Sequence, residues 1–361
     1  MDEHTTYAIR QIDRQDNSLF SQSFLNLVPW VCALMVVLIH QYNIAESTAL
    51  GFPARVEGFF SHGICTAAVP MFFFMSGYLF YRNLPTVNAV FHKQKKRAGS
   101  VLMPFLAWSA SYYAFFALLS KVMPGELQKA VDLSLFGIVK GIIFYEYIFP
   151  MWYMFQLCLY ILLAPIIFCV LKNRLFGILV LVGSAIVGLF ILPGIGIDVG
   201  GYERSLFQFN FFAYYFAGCF AAKWPDIAER IKAFACKLSP VVSAGLCVAF
   251  SFICSLFFDE VIPVFNTRCI VPFVFITFML LMINLCEKIT FVPSCAISTM
   301  FLYGVHSLVG LILGEVFLDA LPISALLKYG VSFILVTVVS LGIGYVLKFV
   351  KPLYRVFSGN R

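Results

Sequence analysis

Long apolar stretches alternate with short polar loops along the whole chain. Ten stretches approach the ~20 residues that an α-helix needs to cross a bilayer. They lie at 24–44, 59–81, 100–122, 151–171, 175–193, 207–222, 240–258, 269–286, 296–318 and 329–350. The pattern predicts an all-α, polytopic membrane protein with about ten transmembrane helices.

The ends of the chain differ from this pattern. Residues 1–23 are polar and of mixed charge, and residues 351–361 are polar and basic. The first apolar stretch is long enough to span, which argues against a cleavable signal peptide. We therefore predict a cytoplasmic N-terminal tail at 1–23, one membrane domain at 24–350 and a cytoplasmic C-terminal tail at 351–361.

Charge in the loops predicts the orientation. Most of the 25 Lys and Arg lie in the loops that share a side with the N-terminus, including the run from His92 to Arg97. Positive loops face the cytoplasm. With an even number of spans, both termini are then inside, so we predict N-in and C-in.

Composition agrees with a lipid environment. Hydrophobic residues make up 61% of the chain and charged residues only 12%, against about 25% charge in soluble domains; mean hydropathy is +0.91. The net charge of +7 follows from the loops, with no basic stripe for nucleic acid. The 11 cysteines lie in apolar segments without metal-ligand spacing, so we expect neither a metal nor a disulfide framework.

One ionisable side chain stands out within an apolar stretch. His40 ends the run Val31 to Ile39. A charged group at such depth costs about 2 kcal/mol or more to insert, so residues of this kind usually face a polar cavity with a partner or a task. His40 is therefore the first candidate for chemistry.

Four segments together carry a family resemblance. They are the stretch from Ala33 to His40, the stretch from Val69 to Leu79 (VPMFFFMSGYL), Lys95-Lys96-Arg97 leading to Leu102–Trp108, and Met151-Trp152-Tyr153. In this order and spacing the chain resembles the acyltransferase 3 family of integral-membrane acyltransferases. The similarity extends to Phe301–His306.

The resemblance implies transfer of an acyl group, usually acetyl, from acetyl-CoA to a sugar hydroxyl. It implies acceptors such as surface polysaccharides or lipid-linked saccharides, and residence in a bacterial inner membrane among its lipids. Acetyl-CoA is then a co-substrate, and no permanently bound cofactor is expected. The family's essential histidine corresponds to His40, whose imidazole suits either a general base or a covalent acyl carrier.

The resemblance also assigns a donor site. Lys96 and Arg97 correspond to the basic residues that the family uses near the acyl donor, and cations suit the phosphates of CoA. The alternative is an ordinary positive loop at the inner membrane surface.

Four positions depart from the family pattern, among them Asn26, where members often carry an acidic residue. Many members carry an arginine eleven residues before the histidine, where this chain has Pro29. A family Arg-Asp pair near the fourth stretch is replaced by Phe155 and Gln156. Either the acceptor site is altered, or Gln156, Arg204 or Arg268 compensates, or activity is lost.

Other polar or aromatic residues are candidates for the acceptor site. Glu146 precedes the fourth stretch and either orients His40 or binds an acceptor hydroxyl. Trp152 is either a membrane-interface anchor or a stacking surface. Gln156 is a polar group within the span. His306 either lines the cavity or is a packed, hydrogen-bonded histidine. Ser76-Gly77 is typical of close helix approach.

Two rival functions from other classes stay open on these residues. Prolines within the apolar stretches and the missing arginine suit a transporter or flippase of a lipid-linked saccharide. The second rival is a catalytically silent scaffold in glycan synthesis. Binding of CoA to the purified protein separates the enzyme from both.

Overall fold

The fold is almost entirely helical. The computed structural model describes residues 20–41, 51–122, 131–198, 203–256, 269–289, 297–318 and 321–359. Within them, the helices α1 to α16 are Gln22–Ile39, Phe52–Phe60, Ala68–Tyr81, Val87–Arg97, Met103–Val122, Leu135–Ile143, Trp152–Leu162, Ala164–Leu171, Arg174–Ile186, Phe209–Lys223, Pro225–Lys237, Pro240–Leu256, Val271–Lys288, Thr299–Leu311, Ala325–Leu347 and Lys351–Ser358. A single antiparallel hairpin joins β1, Gly194–Asp198, to β2, Glu203–Gln208.

Six helical segments of the described chain are long and apolar enough to cross a membrane, some of them running through short 3₁₀ or π turns. They are Gln22–Ile39, Phe52–Tyr81, Val87–Val122, Arg174–Ile191, Val271–Lys288 and Ala325–Leu347. Two bent pairs raise the number to eight, since Phe149–Leu162 meets Ala164–Leu171 at 59° and Pro225–Lys237 meets Pro240–Leu256 at 98°. The chain is thus a multi-pass helical membrane protein.

Helix length limits the count of spans. Each of the ten predicted apolar stretches contains a helix, but α10 has 15 residues and α14 has 13. A helix of that size is only about 20 Å long, against about 30 Å of hydrocarbon. The structure therefore supports six to eight spans, and the count of ten and the N-in, C-in orientation stay predictions.

The fourth predicted stretch, 151–171, is broken rather than straight. The chain turns between α7 and α8 beside Pro165, in the first turn of α8. Proline lacks the N–H of a helical hydrogen bond, and its ring clashes with the carbonyl four residues earlier. As a result, one apolar stretch forms two helices whose axes differ by 59°.

The hairpin is a departure from the all-α prediction. Residues Gly194–Gln208 join α9 to α10, in a region where the sequence analysis expects only a loop between spans. Gln156 fastens this hairpin from α7: its Nε2 donates to the Ser205 carbonyl at 2.9 Å, and its Oε1 accepts from the Gln208 amide at 3.0 Å.

Helices α3 and α10 approach each other closely. A Cβ atom on Gly77 would overlap the carbonyl oxygen of Tyr215, and one on Gly218 would overlap that of Phe74. Small residues let backbones approach in this way within membranes. The close approach expected at Ser76-Gly77 is confirmed.

The C-terminal segment is helical and docked on the bundle. In α16, the Phe357 carbonyl accepts from Trp108 Nε1 at 3.2 Å, and the Tyr354 hydroxyl accepts from the Ser298 amide at 2.8 Å. Gly359 ends the helix in a left-handed conformation with φ 73°. The sequence pattern predicts only a tail at 351–361, without a helix. The predicted boundaries 1–23, 24–350 and 351–361 stay predictions, and residues 1–19 lie outside the described part.

Candidate active site

His40 lies at the C-terminal end of the first described helix. Its backbone N–H bonds the carbonyls of Val36 and Val37 at 3.3 and 3.2 Å, and α1 ends at the preceding residue. The side chain is half-buried. The apolar helix therefore presents an imidazole at the point where its regular hydrogen bonding stops.

His306 is a second, fully buried imidazole on α14. Its Nδ1 lies 2.8 Å from the Tyr303 carbonyl oxygen. Because a carbonyl only accepts, the Nδ1 atom carries the proton and Nε2 is left as an acceptor. The Ser307 hydroxyl lies 3.3 Å from Nε2 and donates to it.

The two rings form a histidine pair, defined here as His40 and His306. Their centroids are 5.5 Å apart and their planes are inclined by 37°. Phe149 completes this neighbourhood, with its ring 6.5 Å from that of His40. Two imidazoles from distant parts of the sequence thus converge beside one another, which is an arrangement able to hold and pass a proton.

A cavity of about 80 Å³ reaches Tyr303, a ring neighbour of His306, and neither histidine of the pair is among its lining residues. It is lined by Pro29, Phe72, Met75, Ser76, Leu79, Phe80, Arg97, Val101, Tyr153, Leu157, Ile161, Thr299, Met300 and Tyr303. Tyr303 connects it to the pair, since its ring is 6.0 Å from that of His306. The Tyr303 hydroxyl donates to the Pro150 carbonyl.

Few polar groups interrupt the apolar wall of this cavity. The Ser76 and Tyr153 hydroxyls lie 3.0 Å apart and are hydrogen-bonded to each other. Arg97, half-buried at the end of α4, is the cation of the wall. The cavity is thus mainly apolar, with paired hydroxyls and one positive charge.

Further basic side chains lie near Arg97. Lys96 is exposed in the same helical turn. Lys93 Nζ donates to the Arg82 carbonyl at 3.2 Å and lies 5.8 Å from the ring centroid of Phe80, which lines the cavity. Cations in the last turn of a helix also complement its dipole. Of the two predicted donor residues, Arg97 contacts the cavity and Lys96 lies on the surface beside it.

Pro29 also lines this cavity. It occupies the position at which the family often has arginine. Arg97 lines the same cavity as Pro29. It therefore supplies a positive charge in the cavity that the family arginine would face. Of the other replacements considered, Gln156 and Arg204 bond backbone groups elsewhere, and Arg268 lies outside the described residues.

Glu146 belongs to a different polar group. Its carboxylate forms an ion pair with Lys140 at 3.6 Å, and its carbonyl accepts from Arg204 Nη2 at 3.0 Å. The Arg204 guanidinium lies 5.5 Å from the ring centroid of Tyr145. Burial raises the pKa of Tyr145 to about 12, with Arg204 acting in the opposite direction. This group fastens the segment before α7 to the hairpin.

The remaining predicted residues are separated. Trp152 packs into an aromatic cluster, 4.9 Å from the Phe211 ring, whereas the next residue, Tyr153, faces the cavity. Gln156 has both amide atoms engaged by β2. The structure thus brings together His40, His306 and, through the cavity, Arg97; the acceptor roles of Glu146, Trp152 and Gln156 stay predictions.

Sequence reasoning missed Tyr303 and Phe149 as neighbours of the histidines. Tyr303 precedes His306 by three residues, so both lie on one face of α14, and this spacing was a usable signal. Phe149 gave no comparable signal, because its contact with His40 depends on the path of the segment before α7.

The apolar helical bundle holds a histidine pair and, joined to it through Tyr303, a cavity with a cationic wall residue. These features define a multi-pass membrane protein with an enzyme-like site. The chain belongs to the acyltransferase 3 family: the family model, described as an acyltransferase domain, matches residues 22–348. The resemblance drawn from the four segments is confirmed, and the protein is a membrane acyltransferase. No curated protein and no solved structure matches the chain.

Proposed function

We propose that this protein is an O-acetyltransferase that moves acetyl from acetyl-CoA to a sugar hydroxyl of a surface polysaccharide or lipid-linked saccharide. The observation that carries the proposal is the histidine pair joined through Tyr303 to an apolar cavity with Arg97 in its wall. The proposal includes a bacterial inner membrane with both termini inside, which the charge of the loops supports.

Arg97 and Lys96 hold the donor in this proposal. Their charges suit the phosphates of CoA, and Arg82 and Lys93 lie nearby. The acyl-pantetheine arm, mostly aliphatic with a few amides, matches an apolar cavity in which Ser76 and Tyr153 supply hydrogen bonds. Its thioester then lies near Tyr303, next to His306.

His40 activates the acceptor along one of two routes. As a general base, it takes the proton of the sugar hydroxyl while the oxygen attacks the thioester carbonyl; the C–S bond breaks and the proton passes to the thiolate. As a carrier, an unprotonated His40 nitrogen attacks the thioester carbonyl first and the thiolate leaves; the sugar oxygen then attacks the acyl-imidazole, the C–N bond to His40 breaks, and the sugar proton passes to the thiolate. In both routes the His306 ring, 5.5 Å from that of His40, is the polar neighbour of the His40 ring while that ring carries a positive charge.

The test is transfer of labelled acetyl from acetyl-CoA to membrane glycans in inside-out vesicles. We expect His40→Gln, which keeps a polar side chain but neither basicity nor nucleophilicity, to abolish transfer at normal protein levels. We expect His306→Gln to lower kcat, since it removes the partner of His40. Full activity in His40→Gln vesicles would overturn the mechanism.

A second measurement separates the two routes. Without acceptor, a carrier accumulates acid-labile label on the wild-type protein and none on His40→Gln, whereas a general base leaves both unlabelled. If the wild-type protein neither transfers acetyl nor binds CoA, the transport function considered from the sequence replaces this proposal.

A further inference from the structure

Helix α15 directs two buried side chains toward the end of α1. Tyr329 and Ser332 are three residues apart and therefore lie on one face of α15. Their exposed fractions are 6% and 1%. Each begins a chain of hydrogen bonds that ends on a backbone carbonyl in the last turn of α1.

The first chain runs through Ser61, the residue that follows α2. The Tyr329 hydroxyl lies 2.6 Å from Ser61 Oγ, and Ser61 Oγ donates to the Leu38 carbonyl at 3.2 Å. Since the single hydroxyl proton of Ser61 goes to a carbonyl, Tyr329 must be the donor of the shorter bond. The direction is thus Tyr329 to Ser61 to Leu38.

The second chain runs through Gln41. Ser332 Oγ donates to Gln41 Oε1 at 2.8 Å, and Gln41 Nε2 donates to the Val37 carbonyl at 2.5 Å. Gln41 is 9% exposed. Both chains therefore consist of buried side chains whose donors and acceptors are matched.

These bonds add to the backbone bonds of the helix end. The Val37 carbonyl accepts from the His40 amide at 3.2 Å as well as from Gln41 Nε2, and the Leu38 carbonyl accepts from the Gln41 amide at 3.3 Å as well as from Ser61 Oγ. Through Gln41 and Ser61, two peptide groups close to His40 are connected to a helix that lies almost 300 residues later in the sequence. Fixing these two peptide groups fixes the turn from which the His40 ring projects.

We propose that Tyr329 and Ser332 are positioning residues that hold the end of α1 so that the His40 ring stays beside His306. This inference rests on the proposed role of His40. A displacement of about 1 Å at a reacting group can cost about 100-fold in rate. Since each variant loosens only one of two chains, we expect a loss of about tenfold in kcat for each and more for both.

The test compares Tyr329→Phe, Ser332→Ala and the double variant with two matched controls on the same helix. Tyr345→Phe removes a hydroxyl from an exposed tyrosine, and Ser340→Ala removes a buried hydroxyl that has no hydrogen-bond partner among the described residues. We expect kcat to fall in the positioning variants while the KM for acetyl-CoA and the melting temperature match those of the controls. A loss of kcat no greater than in the controls would overturn the inference.

An activity-independent readout keeps the inference separate from the proposed function. The rate at which diethyl pyrocarbonate modifies His40, followed by mass spectrometry, should rise at least threefold in the double variant, with exposed His92 as the internal reference. An unchanged rate overturns the inference even if the wild-type protein proves inactive, whereas an increased rate in an inactive protein overturns only the proposed function.

Discussion

Replacement of Gly77 by alanine tests how the helix pair α3 and α10 supports the cavity. The new Cβ would lie closer to the Tyr215 carbonyl oxygen than the 3.0 Å that real Cβ atoms keep. The obstacle is backbone and cannot rotate away. The Cβ would lie 2.1 Å from that oxygen, so the helices must separate by roughly 1.4 Å to restore an ordinary separation of about 3.5 Å.

Two opposing effects determine how much Gly77→Ala changes the free energy of unfolding. Overpacking in a well-packed core costs about 1–3 kcal/mol and sometimes more, and a backbone obstacle favours the upper part of that range. Alanine gains about 1 kcal/mol over glycine within a helix. The net destabilisation should be about 2 kcal/mol, which for a chain of 361 residues lowers the melting temperature by roughly 3 °C.

The assay is thermal unfolding of the detergent-purified protein, with Gly183→Ala as the matched control. Gly183 lies in helix α9, and a Cβ there meets nothing within 4 Å, so only the favourable helix term applies. Since Ser76 and Phe72 on α3 line the cavity, Gly77→Ala should also raise the KM for acetyl-CoA. Equal melting temperatures for the two variants would refute the close approach.

Three further predictions follow from individual contacts. Arg97→Gln should raise the KM for acetyl-CoA about tenfold or more, as expected for loss of a charged hydrogen bond. Lys95→Gln, on the exposed side of the same turn, should change this KM little. Equal effects of the two substitutions would contradict a specific role for Arg97. Removal of residues 351–361 should lower the melting temperature by several degrees, because α16 covers Trp108. The shortened protein should still insert into the membrane. An unchanged melting temperature would show that docking of α16 contributes nothing to stability. Gln156→Leu removes both hydrogen bonds from α7 to β2. Amide hydrogen exchange of the hairpin should therefore accelerate, while that of α1 should not. Unchanged exchange in the hairpin would refute the anchoring role of Gln156.

The sequence predicts the helical elements well because membrane helices are encoded by long local runs. Each of the ten apolar stretches contains a helix, and the motif around His40 identifies the family. Where length and apolarity diverge, as in the short helix α10, Phe209–Lys223, an apolar stretch does not by itself establish a membrane span. Lipid and a protein interior both accept apolar side chains, so hydropathy does not distinguish them.

Other features depend on contacts that a local pattern does not contain. The pairing of His40 with His306 requires two helices from opposite ends of the chain to meet. Gln156 was expected in the acceptor site because a polar group in an apolar span needs a partner, and the partner is the backbone of a hairpin. The C-terminal helix was predictable, since Pro352 lies at its start and Gly359 just past its end.

The docked helix α16 makes the glycine that follows it hard to replace. Gly359 lies where a side chain would collide with the Ser100 carbonyl, and Tyr354 of α16 is bonded to Ser298 at the start of the helix that bears His306. Any other residue at position 359 would therefore displace the short helix that holds the start of α14. A substitution more than 50 residues from His306 in sequence would in this way act on the helix that carries it.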